Sequence, residues 1–340
     1  MIFNSLIPII WSKSFIIAII ICNQSLCTTS NLECGISSRA ISRLTKRING
    51  IKSKCGEVCN TNVTSLSDKD EYFKRIQKDF DCHSLFSIKE GISEFNVPLK
   101  EIPEFLKNYY SYNDRIPLTN VYMRDESSDM PDWVWNTETI ESFQVKIRKN
   151  EFKGPYGYES VKNLSQVLKD HTVLDGARVL VIGSQSPWIE AILLDHNVKE
   201  IVTLEYSEIV TTHPKIKPVL PQEFNRQYLS GELEPFDLTV SFSSLEHSGL
   251  GRYGDPLNPW GDLITMARTW CTTKKGGRAL IGVPTGIEDE IIFNAAKIYG
   301  PLQYSHLFAN WKPIYSNSNP DRFYKSSCKW CYQPLFVVEK

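Results

Sequence analysis

ARVLVIG (Ala177–Gly183) decides the fold. It is a short, β-branched apolar run that stops on glycine. Three runs of the same kind follow it: EIVTLEY (Glu200–Tyr206), FDLTVSFSSLEH (Phe236–His247) and GGRALIGVP (Gly276–Pro284). Lys215–Leu220 reads as a shorter strand, and the terminal PLFVVEK as a last one. Helical segments lie among them. ESVKNLSQVLKDH (Glu159–His171) spaces Val161, Leu164, Val167 and Leu168 along one helical face. PWIEAILLDHN (Pro187–Asn197), Trp260–Thr272 and GIEDEIIFNAAKIYG (Gly286–Gly300) are the other predicted helices. Strands that are apolar throughout, alternating with helices, predict an α/β protein with a mostly parallel sheet covered on both faces. Sheets of this kind bind ligands beyond the carboxyl ends of their strands, which makes the residues there the first candidates for a site.

The whole chain has 340 residues, enough for one large domain or two ordinary ones, and its 41% apolar and 23% charged composition is that of a folded protein. The net charge of −1 gives no global field to draw in nucleic acid or an acidic membrane. The basic cluster Arg39, Arg43, Lys46, Arg47, Lys52 and Lys54 is local and reads as a solvated face or flexible arm.

Residues 1–27 stand apart. Ile2–Ile10 and Phe15–Cys22 are apolar runs interrupted by Lys13, and Ser25 and Cys27 are small residues placed like a cleavage site. This predicts a signal peptide or a signal anchor, and so a secreted or lumenal protein, with membrane contact only through residues 1–27 if they are retained. Residues 28–150 form an amino-terminal region, loosely structured over 28–70 and mixed beyond, and 151–340 the α/β domain. Cys34, Cys55, Cys59 and Cys82 suit a disulfide-stapled segment in an oxidising lumen better than a zinc site, so no metal is expected. Cys328 and Cys331 suit a structural disulfide or plain thiols, and Cys271 is the cysteine expected to stay unpaired. Asn62 and Asn163 match the glycosylation acceptor pattern. In TETIESFQVKIRKN (Thr137–Asn150) an amphipathic helix is expected with Thr137 as its cap.

The strand and helix order over 151–340 resembles the class I S-adenosylmethionine-dependent methyltransferases, a Rossmann-like fold. The resemblance implies that Gly183, Ser184 and Gln185 line the cofactor and that Glu205, at the end of the second strand, holds its ribose hydroxyls. Two departures from that pattern stand out: position 181 is Val where the family carries an acid, and the loop Gly183-Ser184-Gln185-Ser186-Pro187 has no second or third glycine. GSQSPWIEA (Gly183–Ala191), LEYSE (Leu204–Glu208), SFSSLEHSGLGRYGDPLNPWGD (Ser241–Asp262) and FNAAKIYGPLQY (Phe293–Tyr304) together resemble a narrower group, the family of unknown function numbered 268, well represented in nematodes. That resemblance implies a fold and no reaction. Lys297 stands where an Arg is expected before IYGP.

SSLEHSGLGRYGDPLNPWGD concentrates Glu246, His247, Arg252, Asp255 and Asp262 with four glycines at one strand end. Functional groups on loops of a rigid scaffold are where sites usually sit. Glu246 and His247 are the candidate general acid/base pair; Arg252, Asp255 and Asp262 are the candidate substrate contacts. A loop bonded to itself, with Arg252 bridging an Asp, is the competing account. Trp188 and Trp260 read as core residues before stacking partners. HExxH, GxSxG and P-loop motifs are absent, which leaves zincins, serine hydrolases and Walker ATPases without support. Three functional readings follow: methyl transfer from S-adenosylmethionine to a small or sugar-like acceptor, a non-catalytic binding module on the same sheet, and, more weakly, a nucleotide-sugar-dependent enzyme.

Overall fold

The computed structural model describes residues 37–62, 72–89, 91–95, 97–123, 133–253, 255–319 and 331–340. The apolar segment 1–27, Cys34 and Cys328 lie outside the described residues. In chain order the helices are α1 Ser38–Cys55, α2 Cys82–Phe86, α3 Glu104–Tyr110, α4 Thr137–Arg148, α5 Tyr158–His171, α6 Trp188–Leu194, α7 Pro221–Leu229, α8 Gly261–Thr272 and α9 Pro301–Leu307. The strands are β1 Leu118–Asn120, β2 Trp133–Trp135, β3 Arg178–Ile182, β4 Glu200–Leu204, β5 Ile209–Thr211, β6 Ile216–Val219, β7 Phe236–Phe242, β8 Thr273–Gly282, β9 Glu290–Phe293, β10 Ala296–Ile298, β11 Lys312–Ser316 and β12 Leu335–Glu339.

Seven of these strands form one sheet in the order β11-β12-β8-β7-β3-β4-β6. β6, β4, β3, β7 and β8 run parallel, while β12 is antiparallel to both β8 and β11. Counted along the chain within the sheet, the order is 3-2-1-4-5-7-6, with the last strand inserted antiparallel next to the fifth. This is the class I methyltransferase arrangement, and the strand order reverses between β3 and β7, where doubly wound sheets open their ligand crevice.

Side chains alternate across the sheet. Leu180 and Ile182 of β3 join a core with Val202, Ala279 and Ile281, while Val179 and Val181 join the opposite one with Ile201, Val240 and Leu280. Ile140, Leu164 and Ile189 of α4, α5 and α6 cover the second core; Phe224, Leu263 and Leu307 of α7, α8 and α9 belong to the first.

The structure corrects four readings. Residues 38–55, expected to be loose, form α1, whose Leu44, Ile48 and Ile51 are buried in the first core. Their spacing is helical, but the surrounding Ser, Arg and Lys mask it. Gly286–Gly300, expected as a helix, is instead the hairpin β9–β10, with Asn294 at φ 63° in its turn. β9 also pairs with β1 in parallel, and that non-local pairing outweighs local helix preference. The cap of α4 is Asn136, whose side chain accepts from Thr139 N at 2.8 Å, and not Thr137. Cys271 is paired, to Cys82 of α2, which staples the amino-terminal region onto α8. Cys55 bonds Cys59, and Cys331 is also disulfide-bonded. Among the described residues no helix is long and apolar enough to cross a membrane.

Candidate functional site

The turn after β3 begins with Gly183 at φ 73°, in the left-handed region. A Cβ built there would lie 1.8 Å from Ser244 Oγ, so the close passage of this turn past the turn after β7 admits only glycine. Ser184 follows. Its backbone N–H donates to Glu205 Oε2 at 2.9 Å, and Tyr206 N–H donates to Glu205 Oε1 at 2.7 Å. Burial raises the Glu205 carboxyl above its ordinary value, against the pull of backbone donors from Tyr206, Ser184 and Ser207. Gly183, Ser184, Gln185, Trp188 and Glu205 line a cavity of about 290 Å³ whose far side carries Ser244, His247 and Asp255. Tyr206 is half exposed at its mouth.

The turn after β7 begins with Ser243, which has φ 52° despite its side chain. Backbone strain of this kind persists where the surroundings hold it and clusters at functional sites. Here the surroundings are specific. Ser243 Oγ donates to Glu246 Oε1 at 2.7 Å and accepts from Gln333 Nε2 at 3.0 Å. Glu246 is 1% exposed, and its Oε2 has no hydrogen-bond partner among the described residues. Burial raises its carboxyl to about 7, with Arg252 opposing. His247 Nε2 lies 3.6 Å from Glu246 Oε1, and its Nδ1 is 2.7 Å from the carbonyl of Ala295 in the β9–β10 turn. A carbonyl only accepts, so Nδ1 carries a proton, and Nε2 is the ring nitrogen turned toward Glu246.

Glu246, His247 and Arg252 line a second cavity of about 690 Å³ with Lys153, Asn163 and Tyr332. The two cavities share Tyr156, Phe242, Ser243, His247 and Tyr253. Both volumes fall near or within the range of small-molecule sites.

Of the residues expected at the site from sequence, Gly183, Ser184, Gln185 and Glu205 converge on the smaller cavity, Glu246 and Arg252 on the larger, and His247 on both. Arg252 Nη1 sits 3.3 Å from the Ala295 carbonyl, and its guanidinium lies 4.9 Å from the Tyr253 ring. Asp255 reaches the smaller cavity but serves its own loop, accepting from Gly249 N at 2.7 Å; burial raises its carboxyl to about 6. Asp262, expected at the substrate, is instead fully buried at the start of α8, where it pairs with Lys297 and accepts from Tyr299 Oη at 2.8 Å. Lys297 is likewise sealed in the core at 1% exposure, away from any anion in the crevice. Trp260 packs in the core against Tyr109 with ring centres 5.0 Å apart. Trp188 is buried but also edges the smaller cavity.

Three contributors went unread in the sequence. Glu190 is fully buried under the β3 turn, bonded to Ser184 Oγ and Thr203 Oγ1. A lone acid inside the apolar helix PWIEAILL was the available signal. Gln333 and the Ala295 carbonyl come from segments far along the chain, and no local pattern marks them.

Residues 176–331 match the model of the family described as Caenorhabditis protein of unknown function, DUF268. Among solved structures, the N-methyltransferase NodS from Bradyrhizobium japonicum WM9, in complex with S-adenosyl-L-homocysteine, is 13% identical, covering 59% of this chain and 98% of its own at TM-score 0.35. A Listeria monocytogenes protein assigned by inference to the S-adenosylmethionine-dependent methyltransferases is 12% identical, covering 54% of this chain and 98% of its own at TM-score 0.36. No curated protein matches the chain.

Proposed function

We propose that this chain is an S-adenosylmethionine-dependent methyltransferase acting on a small or sugar-like acceptor. The observation that carries the reading is the shared wall: a crevice holding Glu205 and the β3 turn adjoins a larger cavity holding Glu246, through Tyr156, Ser243, His247 and Tyr253. The residues present fit the nucleoside. The Glu205 carboxylate already takes backbone N–H bonds on both oxygens and keeps lone pairs for two ribose hydroxyls. The left-handed Gly183 lets the backbone turn beside the crevice. When bound, the cofactor supplies an activated methyl group. Glu246 or His247 would take the acceptor's proton, and Arg252 would orient the acceptor from the larger cavity. Tyr156, Tyr253 and Tyr332 offer ring faces suited to a sugar.

A specific observation favours a second reading, a non-catalytic secreted or lumenal binding module. The disulfides suit an oxidising compartment, while the methyl donor is made in the cytosol, and the β3 loop lacks the usual acid and glycines. Calorimetric titration with S-adenosylhomocysteine separates the two. Saturable binding by the wild type that weakens about 100-fold in Glu205→Ala, the loss of two charge-assisted hydrogen bonds, supports the enzyme. No heat with the wild type supports the module. The compartment has its own test. Asn62 is exposed, whereas Asn163 lines the larger cavity, where a glycan would fill it. Lumenal protein should therefore shift on glycosidase treatment, and Asn62→Gln should abolish the shift; an unshifted wild type counts against the lumen.

A further inference from the structure

We propose that Glu190 is the positioning acid of the nucleoside loop, donating its carboxyl proton to Ser184 Oγ and so committing the Ser184 hydroxyl to the carbonyl of Ser186. The inference rests on the reading of residues 183–186 as the cofactor loop. It also answers the departure in the sequence, the apolar Val181 at the end of β3 where the family carries an acid: the acid comes from α6 instead.

A proton count carries the argument. Ser184 Oγ lies 3.0 Å from the Ser186 carbonyl and 3.0 Å from Glu190 Oε2. A serine hydroxyl has one proton and cannot donate to both. The Ser186 carbonyl has no proton to give, so the Ser184–Glu190 contact is satisfied together with the Ser184–Ser186 one only if the proton belongs to Glu190. The other oxygen of Glu190 accepts from Thr203 Oγ1 at 2.9 Å. The Ser186 carbonyl also accepts Trp188 N–H at 2.7 Å, so what decides is Ser184: a neutral Glu190 puts a proton in both of its short oxygen–oxygen contacts, and an ionised one leaves one of them without a proton. The surroundings agree. Glu190 has no exposure, and burial raises its carboxyl to about 7, with Glu205 adding to the rise and its own backbone N–H opposing it. The charged groups on neighbouring elements are engaged elsewhere: Arg148 of α4 reaches Asp195 at the far end of α6, and Arg178 of β3 pairs with Glu200 of β4.

Through this arrangement one residue, Ser184, ties two acids together. Its hydroxyl meets Glu190 and its N–H meets Glu205. Glu190 therefore sets the loop that orients the ribose-binding carboxylate without touching the ligand.

The test uses S-adenosylhomocysteine titrations of the full chain at about pH 6 and about pH 8, bracketing the Glu190 transition. Glu190→Gln keeps both bonds, its amide donating to Ser184 Oγ and accepting from Thr203. It should bind within about threefold of the wild type at the lower pH, with Ser184→Ala about tenfold weaker. On going to the higher pH the wild type should weaken several-fold more than Glu190→Gln, because both retain Glu205. Equal pH responses, or a Glu190→Gln as weak as Ser184→Ala, overturn the proposal. An infrared difference spectrum of wild type against Glu190→Gln reads the proton without any ligand. A protonated-carboxyl carbonyl band at the lower pH supports the assignment, and carboxylate bands alone overturn it. A wild type that shows the protonated band and yet binds no ligand refutes the cofactor reading while leaving the proton on Glu190.

Discussion

The turn after β3 and the turn after β7 lie against each other; the first binds Glu205 from the end of β4, the second carries Glu246, and the two carboxyls are kept in opposite ways. Glu205 is bonded on both oxygens by backbone N–H groups that the strand ends fix in place. Glu246 has one oxygen on Ser243 and one without a hydrogen-bond partner among the described residues, in a buried site beside an imidazole. A backbone-held carboxylate with a free lone pair on each oxygen suits binding, because its donors need no rearrangement when a ligand arrives. An under-satisfied buried carboxyl is costly to stability and is retained where a proton must move. Under the proposed function, the first turn would hold the ligand and the second would serve the chemistry in the larger cavity.

The largest effect expected from the comparison is on rate. In any acceptor preparation that the wild type labels from a methyl-labelled donor, Glu246→Gln should slow transfer by about 10²–10⁴-fold and leave S-adenosylhomocysteine binding within about threefold. Comparable loss of binding would erase the division of labour between the turns.

The next effect is on stability against pH. Glu190 and Glu246 carry folded values of about 7 against about 4.3 in an unfolded chain. Each raised acid is neutral when folded at pH values where the unfolded chain has already lost the proton. Stability is therefore full below the unfolded value, falls as pH rises to about 7, and levels off beyond, by about 3 kcal/mol for each group. Denaturant melts across this range should show Glu246→Gln removing about 1.4 kcal/mol per pH unit of that slope. An unchanged slope would mean that Glu246 is ionised in the fold.

Gly183→Ala should cost about 3 kcal/mol in the same melts, through the left-handed backbone and the collision with Ser244. A neutral result would show that the two turns do not press together. Gln185→Ala is the smallest: its side chain is exposed at the rim, so ligand affinity should change by no more than about threefold and stability by less than about 0.5 kcal/mol.

The strands β3, β4, β7, β8 and β12 were legible because a strand buried on both faces is a continuous apolar run, a signal that survives in one sequence. Gly183 and Glu205 were legible for the same reason, as the residues where those runs stop. The β9–β10 hairpin was not, since EIIF is too short to tell strand from helix, and its fate depends on Leu118–Asn120 pairing from 173 residues away in the chain. That misreading hid the Ala295 carbonyl, which fixes His247 and Arg252. Asp262 looked like a site charge because charge in a glycine-rich loop is ambiguous until burial is known.

The sequence by itself determined the parallel sheet, the strand ends that face the crevice and the disulfide-bearing character of the chain, because each is written in runs or spacings a few residues long. Only the folded chain settles which acids face a cavity and which face a partner: Asp262 sealed against Lys297, Glu190 drawn beneath the β3 turn, Glu246 buried on the wall of the larger cavity. The physical reason is that the charge and hydrogen bonding of a carboxyl are set by what surrounds it in space, and those surroundings are assembled from segments that have no neighbourhood in the chain.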